Sequence, residues 1–101
     1  MTVQILESAK SDLRDGRLFY ESQGGRWLGE YYFDTLFSAI DSLAFYAGIH
    51  RRKYGFYWML VPHFPYSVYY EIEEGVVSVY AVVDNRRDPE WIVRHLETIR
   101  A

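Results

Sequence analysis

The stretch "YSVYYEIEEGVVSVYAVV", residues 66–83, decides how this chain is read. Val68, Tyr70 and Ile72 alternate with Ser67, Tyr69, Glu71 and Glu73, the two-residue period of a strand whose faces differ in chemistry. Glu74-Gly75 supplies a tight turn. Val77, Val79, Ala81 and Val83 then run back as a second strand with one shared apolar face. Two strands alone are marginally stable in water, so this hairpin predicts a larger sheet and something packed on it.

The flanking sequence supplies both. "FYWMLV", residues 56–61, is an aromatic-aliphatic run of strand length stopped by Pro62, which predicts a third antiparallel strand. Further upstream the period changes. "TVQIL", residues 2–6, predicts a short first strand with Val3 and Ile5 on one face. Ser8 is the expected N-cap of a helix in which Ala9, Leu13, Gly16 and Tyr20 fall near helical spacing, and Gly24-Gly25 ends it. A second helix is predicted from Arg26 to Ala47, where Leu28, Tyr32, Leu36, Ile40, Leu43 and Ala47 form one apolar stripe. Helices joined by so short a turn fold back as an antiparallel hairpin. Downstream, Asp88 is the N-cap of a last helix with Pro89 at its first position, and Trp91 or Ile92, Leu96 and Ile99 supply its buried stripe. The expectation is one α+β domain over residues 1–101: an N-terminal strand, a two-helix antiparallel hairpin, a twisted antiparallel sheet and a short C-terminal helix, with the hairpin on one sheet face.

Composition narrows the function. The chain is 50% hydrophobic and 19% aromatic, so it can bury a core at 101 residues. Its formal charge is −3, whereas proteins that live by gripping nucleic acid carry a basic excess to neutralise phosphates. The charge is unevenly spread. Residues 51–101 balance Arg51, Arg52, Lys53, Arg86, Arg87, Arg94 and Arg100 against seven acids, so a local basic patch is compatible with an acidic whole. There is no cysteine, which excludes disulfides and thiolate chemistry. The N-terminus is polar within a few residues and no segment is long and apolar enough to span a bilayer, so a soluble, cytoplasmic chain without membrane partners is expected.

No glycine-rich phosphate loop, zinc-spaced cluster or nucleophile signature is present. His50, His63 and His95 are isolated in sequence, so neither a metal site nor a cofactor is expected. The aromatic set Tyr54, Phe56, Tyr57, Trp58, Phe64, Tyr66, Tyr69 and Tyr70 reads as core and half-exposed sheet face rather than a base-stacking platform, since residues 54–85 carry no interleaved Arg or Lys. Arg51, Arg52 and Lys53 are the densest basic stretch. They either bind a partner or favour the negative end of the preceding helix dipole. Arg86 and Arg87 leave the last strand of the sheet, where planar guanidinium forks suit a phosphate or a partner's carboxylate. The alternative for them is surface pairing with Asp84 or Asp88, which is worth little.

"HFPYSVYYEIEEGVVSVYAVVDNRRDPEW", residues 63–91, resembles the signature half of the RelE/ParE toxin superfamily of bacterial type II toxin–antitoxin modules. Phe64-Pro65-Tyr66, Val68-Tyr69-Tyr70, Ala81-Val82-Val83 and Arg86-Arg87-Asp88-Pro89 with Trp91 carry the likeness. Ala9, Asp12, Leu13 and Tyr20 in "ILESAKSDLRDGRLFYE" extend it to the front half. The resemblance implies a small toxin neutralised by a co-encoded antitoxin. ParE-like members act by poisoning DNA gyrase. RelE-like members cut mRNA on the ribosome without metal, using Lys, Arg, His or Tyr side chains. This sequence departs from the nuclease pattern. Ser67 stands where several ribosome-dependent members have Arg, Val61-Pro62-His63 stand where many carry Arg or Lys, and Asp84 or Asn85 stands where many have His. The resemblance therefore favours a ParE-like toxin acting by protein binding, with Arg86, Arg87, Tyr66, Trp91, Arg51, Arg52 and Lys53 as partner-binding residues. The alternatives are a RelE-like nuclease with Arg86, Arg87, His63 and Tyr66 as its catalytic candidates, and an interaction domain without toxicity. Apolar sheet surface left uncovered without the antitoxin suggests a homodimer in isolation.

Overall fold

The computed structural model describes residues 1–100. In chain order its elements are β1 (Thr2–Ile5), α1 (Glu7–Asp41), α2 (Leu43–Tyr46), β2 (Arg51–Lys53), β3 (Phe56–Leu60), β4 (Tyr66–Glu73), β5 (Val76–Asp84) and α3 (Pro89–Arg100). The fold is α+β, as the sequence predicts. Helix α1 is continuous in span but folded at Gly25, whose φ of 82° lies in the left-handed region where a side chain is strained. Its two arms run back along each other. The ring of Tyr20 stacks on that of Tyr32 at 5.0 Å, and the Arg17 guanidinium lies 5.2 Å from the Phe33 ring. Gly16 permits the closest approach, since a Cβ there would come within 2.2 Å of the Tyr32 hydroxyl oxygen.

The sheet has five strands in the order β1-β5-β4-β3-β2. Two features differ from the expectation of three antiparallel strands after the first. β1 pairs parallel with β5, which makes the sheet mixed: α1 carries the chain back to the starting end before β5 enters. β2, which pairs Arg51–Lys53 with Phe56–Trp58, is the basic stretch itself. Three residues are too few to display a period, but the intervening Tyr54 (φ 54°) and Gly55 (φ 85°) form a two-residue hairpin turn with both residues at positive φ. Glu74 (φ 50°) and Gly75 (φ 77°) turn the β4–β5 hairpin in the same way.

The two faces of the sheet are both covered. Ala9, Leu13, Tyr32, Leu36, Ile40 and Leu43 bury Val68, Tyr70, Val77, Val79 and Val82 on one face. Ile92 and Leu96 of α3 bury Phe56, Tyr69, Ala81 and Val83 on the other. The single apolar face expected for β5 is therefore corrected. Tyr69 pairs with Ala81 but Tyr70 pairs with Val79, so Tyr80 is an extra residue. Such a bulge shifts the alternation by one, which turns Ala81 and Val83 towards α3 while Val77 and Val79 face the helical hairpin.

Two helix boundaries also move. Ser8 is not a cap: α1 starts at Glu7 after an extended Leu6, and the Ser8 hydroxyl donates to the Tyr80 carbonyl at 2.6 Å. The second arm ends at Asp41 and is followed by the single turn of α2, short of Ala47. The Asp88 cap holds, since its carboxylate accepts from the Glu90 N–H at 3.0 Å. Most of the aromatic set is core, with Phe56, Phe64, Tyr66, Tyr69 and Tyr70 all buried. No helix among the described residues is long and apolar enough to cross a membrane.

Candidate functional site

β1 pairs with β5 only as far as Val79, so the remainder of β5 presents an unpaired edge. The Leu6 backbone and two side chains of helix α1 close part of it. Leu6 N–H donates to the Val79 carbonyl at 3.0 Å, Ser8 to the Tyr80 carbonyl at 2.6 Å, and the Asp12 carboxylate accepts from the Val82 N–H at 2.9 Å. Ser8 and Asp12 are one helical turn apart, about 6 Å, and Tyr80 and Val82 are one strand repeat apart, about 6.6 Å. The two spacings match. Beyond Asp12 the helix leaves the strand and a cleft of about 340 Å³ opens, lined among others by Asp15, Gly16, Phe19, Tyr66, Asp84, Arg87, Trp91 and His95.

The arginine pair is split in role at the mouth of this cleft. Arg86 is turned back on its own strand. Its Nε and Nη2 donate to the Asp84 carboxylate at 3.0 and 2.8 Å, and its backbone N–H adds a third bond at 2.9 Å. Partial burial pushes the Asp84 carboxyl up, but the Arg86 side chain and backbone more than offset it and hold the group below its ordinary value. Arg87 makes no ion pair among the described residues. Its guanidinium lies 4.0 Å from the centroid of the Trp91 ring, the distance of a cation–π contact.

That contact continues inwards. Trp91 stacks on His95 at 4.7 Å with the rings 14° from parallel, and His95 Nε2 is 3.2 Å from Asp12 Oδ1. Burial raises the Asp12 carboxyl above its ordinary value despite the Val82 N–H and His95. Burial likewise pushes Tyr66 up to about 12.

The other candidates lie elsewhere. His63 sits on the β3–β4 loop at positive φ (69°), with its ring 6.3 Å from that of Tyr31, outside the cleft. Arg51, Arg52 and Lys53 are on the edge strand, three strands from β5. Arg52 pairs with Glu71 at 2.6 Å, and Lys53 lies 4.4 Å from the Trp58 ring. Thus the fold brings together Tyr66, Arg86, Arg87 and Trp91 and leaves His63 and the 51–53 stretch apart. Ser67 is fully buried. It accepts from Trp58 Nε1 at 2.6 Å and donates to Asn85 at 2.6 Å, so an arginine there has no room. His95 and Asp12 complete the site and are 83 residues apart in sequence. Asp12 is among the residues that carry the family likeness in the sequence, whereas His95 stands isolated in it.

The folded helical hairpin laid on one face of a five-stranded mixed sheet, with a short helix on the other, makes this a small α+β protein. A chain of the chromosomal ParDE TA system from P. aeruginosa is similar to this one with a TM-score of 0.77 and 15% identity, over 83% of this chain and 95% of that chain. No curated protein sequence matches. The family described as the ParE toxin of type II toxin–antitoxin system, parDE, matches residues 3–89. The chain belongs to that family.

Proposed function

We propose that this chain is the toxin of a type II pair, that it acts by binding a protein target rather than by cutting RNA, and that a co-encoded antitoxin neutralises it. The contrast within the arginine pair carries this reading. Arg86 is neutralised by Asp84, whereas Arg87 is laid on Trp91 beside an open cleft. A fixed, unneutralised guanidinium on an aromatic plate is the composition of an interface hot spot, and its fork suits a carboxylate of the partner. DNA gyrase is the target that the ParE likeness suggests. Arg51, Arg52 and Lys53 form a second, separate contact region in this reading.

The nuclease alternative draws on one observation: His95, oriented by Asp12, stands near Arg87 in the same cleft. Against it, His63 lies outside the cleft. Expression of the chain alone in a bacterium, followed by pulse labelling, separates the two. Filamentation and DNA damage with translation intact are expected. Early arrest of protein synthesis with mRNA cut at ribosomes would reverse the assignment, and normal growth would leave a non-toxic interaction domain. In purified protein, Arg87→Ala is expected to weaken antitoxin binding about tenfold, the size of one hot-spot contact, and Arg86→Ala to change it little.

A further inference from the structure

Arg87 is linked through Trp91 to residues deeper in the cleft that it lines. Its guanidinium rests on Trp91 at 4.0 Å. Trp91 packs half-buried against the cluster under α3, and its ring is held from one side by the nearly parallel imidazole of His95, four residues on and one helical turn away, at 4.7 Å. The imidazole is fixed in turn by Asp12 at 3.2 Å. Asp12 cannot drift, because its second oxygen holds the Val82 N–H at 2.9 Å. Three elements meet at this carboxylate: α1 carries it, β5 anchors it and α3 is pinned by it.

We infer that Asp12 and His95 are positioning residues for Arg87, holding Trp91 as the plate on which that arginine is presented to a protein partner. The inference rests on the recognition role given to Arg87 above. It adds that the strength of recognition is set from the opposite side of the cleft, through a carboxylate on α1 and an imidazole on α3. The pair has a second consequence. Arg87 can be presented only while α3 lies against α1, so the recognition surface exists only in the fully docked fold.

Asp12→Asn is the variant of choice, because the amide oxygen still accepts from the Val82 N–H while the charge facing His95 is lost. Two readouts apply. In protein labelled with 5-fluorotryptophan, the three ¹⁹F lines of Trp27, Trp58 and Trp91 are assigned by single Trp→Phe replacements. Asp12→Asn is expected to move or broaden the Trp91 line, although Asp12 is two contacts away from that ring, and to leave the other two in place. His95→Gln, which keeps an N–H donor but loses the ring, is expected to move the same line. The second readout is binding of the protein encoded by the neighbouring antitoxin-like reading frame. Asp12→Asn is expected to weaken it by the same factor as Arg87→Ala, about tenfold, and the double variant to be no weaker than Arg87→Ala alone.

A Trp91 line that stays put in both variants overturns the inference. So does movement of all three lines, which would make Asp12–His95 a fold-wide contact. Additive losses in the double variant would also overturn it, since His95 and Asp12 would then act independently of Arg87. If Arg87→Ala itself leaves binding unchanged, the recognition reading fails, and the fluorine spectra still decide whether Asp12 places Trp91.

Discussion

The two faces of the sheet are covered in different ways. On the hairpin face, two helical arms lay down a continuous apolar layer in which Ala9, Tyr32, Leu36 and Ile40 are fully buried. Cover there comes from area removed from water, which is non-directional and needs no charge. On the other face a single helix contributes two buried side chains, Ile92 and Leu96. Trp91 and Ile99 pack half-buried against the same cluster, and polar contacts at both ends of the helix add to this hold. Near its start the Arg87–Trp91–His95–Asp12 series ties it to α1. At its end Arg100 bonds Glu71 at 2.6 Å and the Gly55 carbonyl at 3.1 Å, and lies 4.0 Å from the Phe56 ring. The difference teaches where recognition can be built. A face held by buried area gives stability, and a face held by placed polar contacts leaves aromatic and cationic groups near solvent.

Removing one buried side chain from each face tests this most severely. Leu36→Ala is expected to lower unfolding free energy by about 2–5 kcal/mol, the range for a fully enclosed leucine, as measured by urea denaturation. Leu96→Ala is expected near the lower end, because its smaller cluster under a single helix can collapse more readily. Equal losses would erase the distinction between the faces. Gly16→Ala should follow, with about 1–3 kcal/mol lost, because its Cβ meets the Tyr32 ring within the hairpin and the arms must separate.

Acid sharpens the comparison on the α3 side. Glu71 feels its partial burial as an upward push, but Arg52 and Arg100 outweigh it and hold the carboxyl below its ordinary value of 4.5. Asp84 is lowered from 3.8, with Arg86 outweighing its burial. Groups lowered in the folded state stabilise it above their unfolded values and lose that contribution as pH falls through the folded ones. Melting temperature should therefore fall on going from pH 6 to pH 3, and the fall should shrink in Glu71→Gln. Asp12 works in the opposite sense. Its carboxyl is raised, so its contribution declines as pH rises from 3.8 through the folded value, and Asp12→Asn should flatten that part of the profile. A melting curve independent of pH in this range would remove the polar clamps from the account.

The smallest effect belongs to the hairpin face. Tyr32 is fully buried and its hydroxyl has no hydrogen-bond partner among the described residues. Its phenol is pushed well above the ordinary range by that burial. Tyr32→Phe is expected to change stability by less than about 1 kcal/mol, and not to destabilise, since it removes an unsatisfied polar group and keeps the ring. A clear loss of stability in a chemical melt would place a partner on that hydroxyl.

Much of this molecule is legible in the sequence because local physics and tertiary structure agree there. The 66–83 hairpin shows its period and its Glu74-Gly75 turn. The helical hairpin shows its stripe and its glycines, and α3 shows Asp88-Pro89. Tyr54-Gly55 is a turn of the same kind, yet β2 is not legible beside it because its three residues are all basic and suggest a patch. The bulge at Tyr80 has no local mark at all. It is set by how β5 must twist between two covering layers, and it decides that Ala81 and Val83 serve a different face from Val77 and Val79.

The site divides along the same line. Sequence by itself determined that Tyr66, Arg86, Arg87 and Trp91 surround a strand-to-helix junction, because they lie within 26 residues and are linked by a readable hairpin and cap. Only the tertiary structure decided which arginine is bound up and which is presented. Asp84 lies two residues from Arg86 and three from Arg87, and a turn geometry rather than a spacing selects between them. Only the tertiary structure, too, joined Asp12 to His95. That contact depends on β1 ending at Ile5, which leaves β5 an open edge for α1 to close. No residue pattern near either position encodes an edge made free by another strand's length.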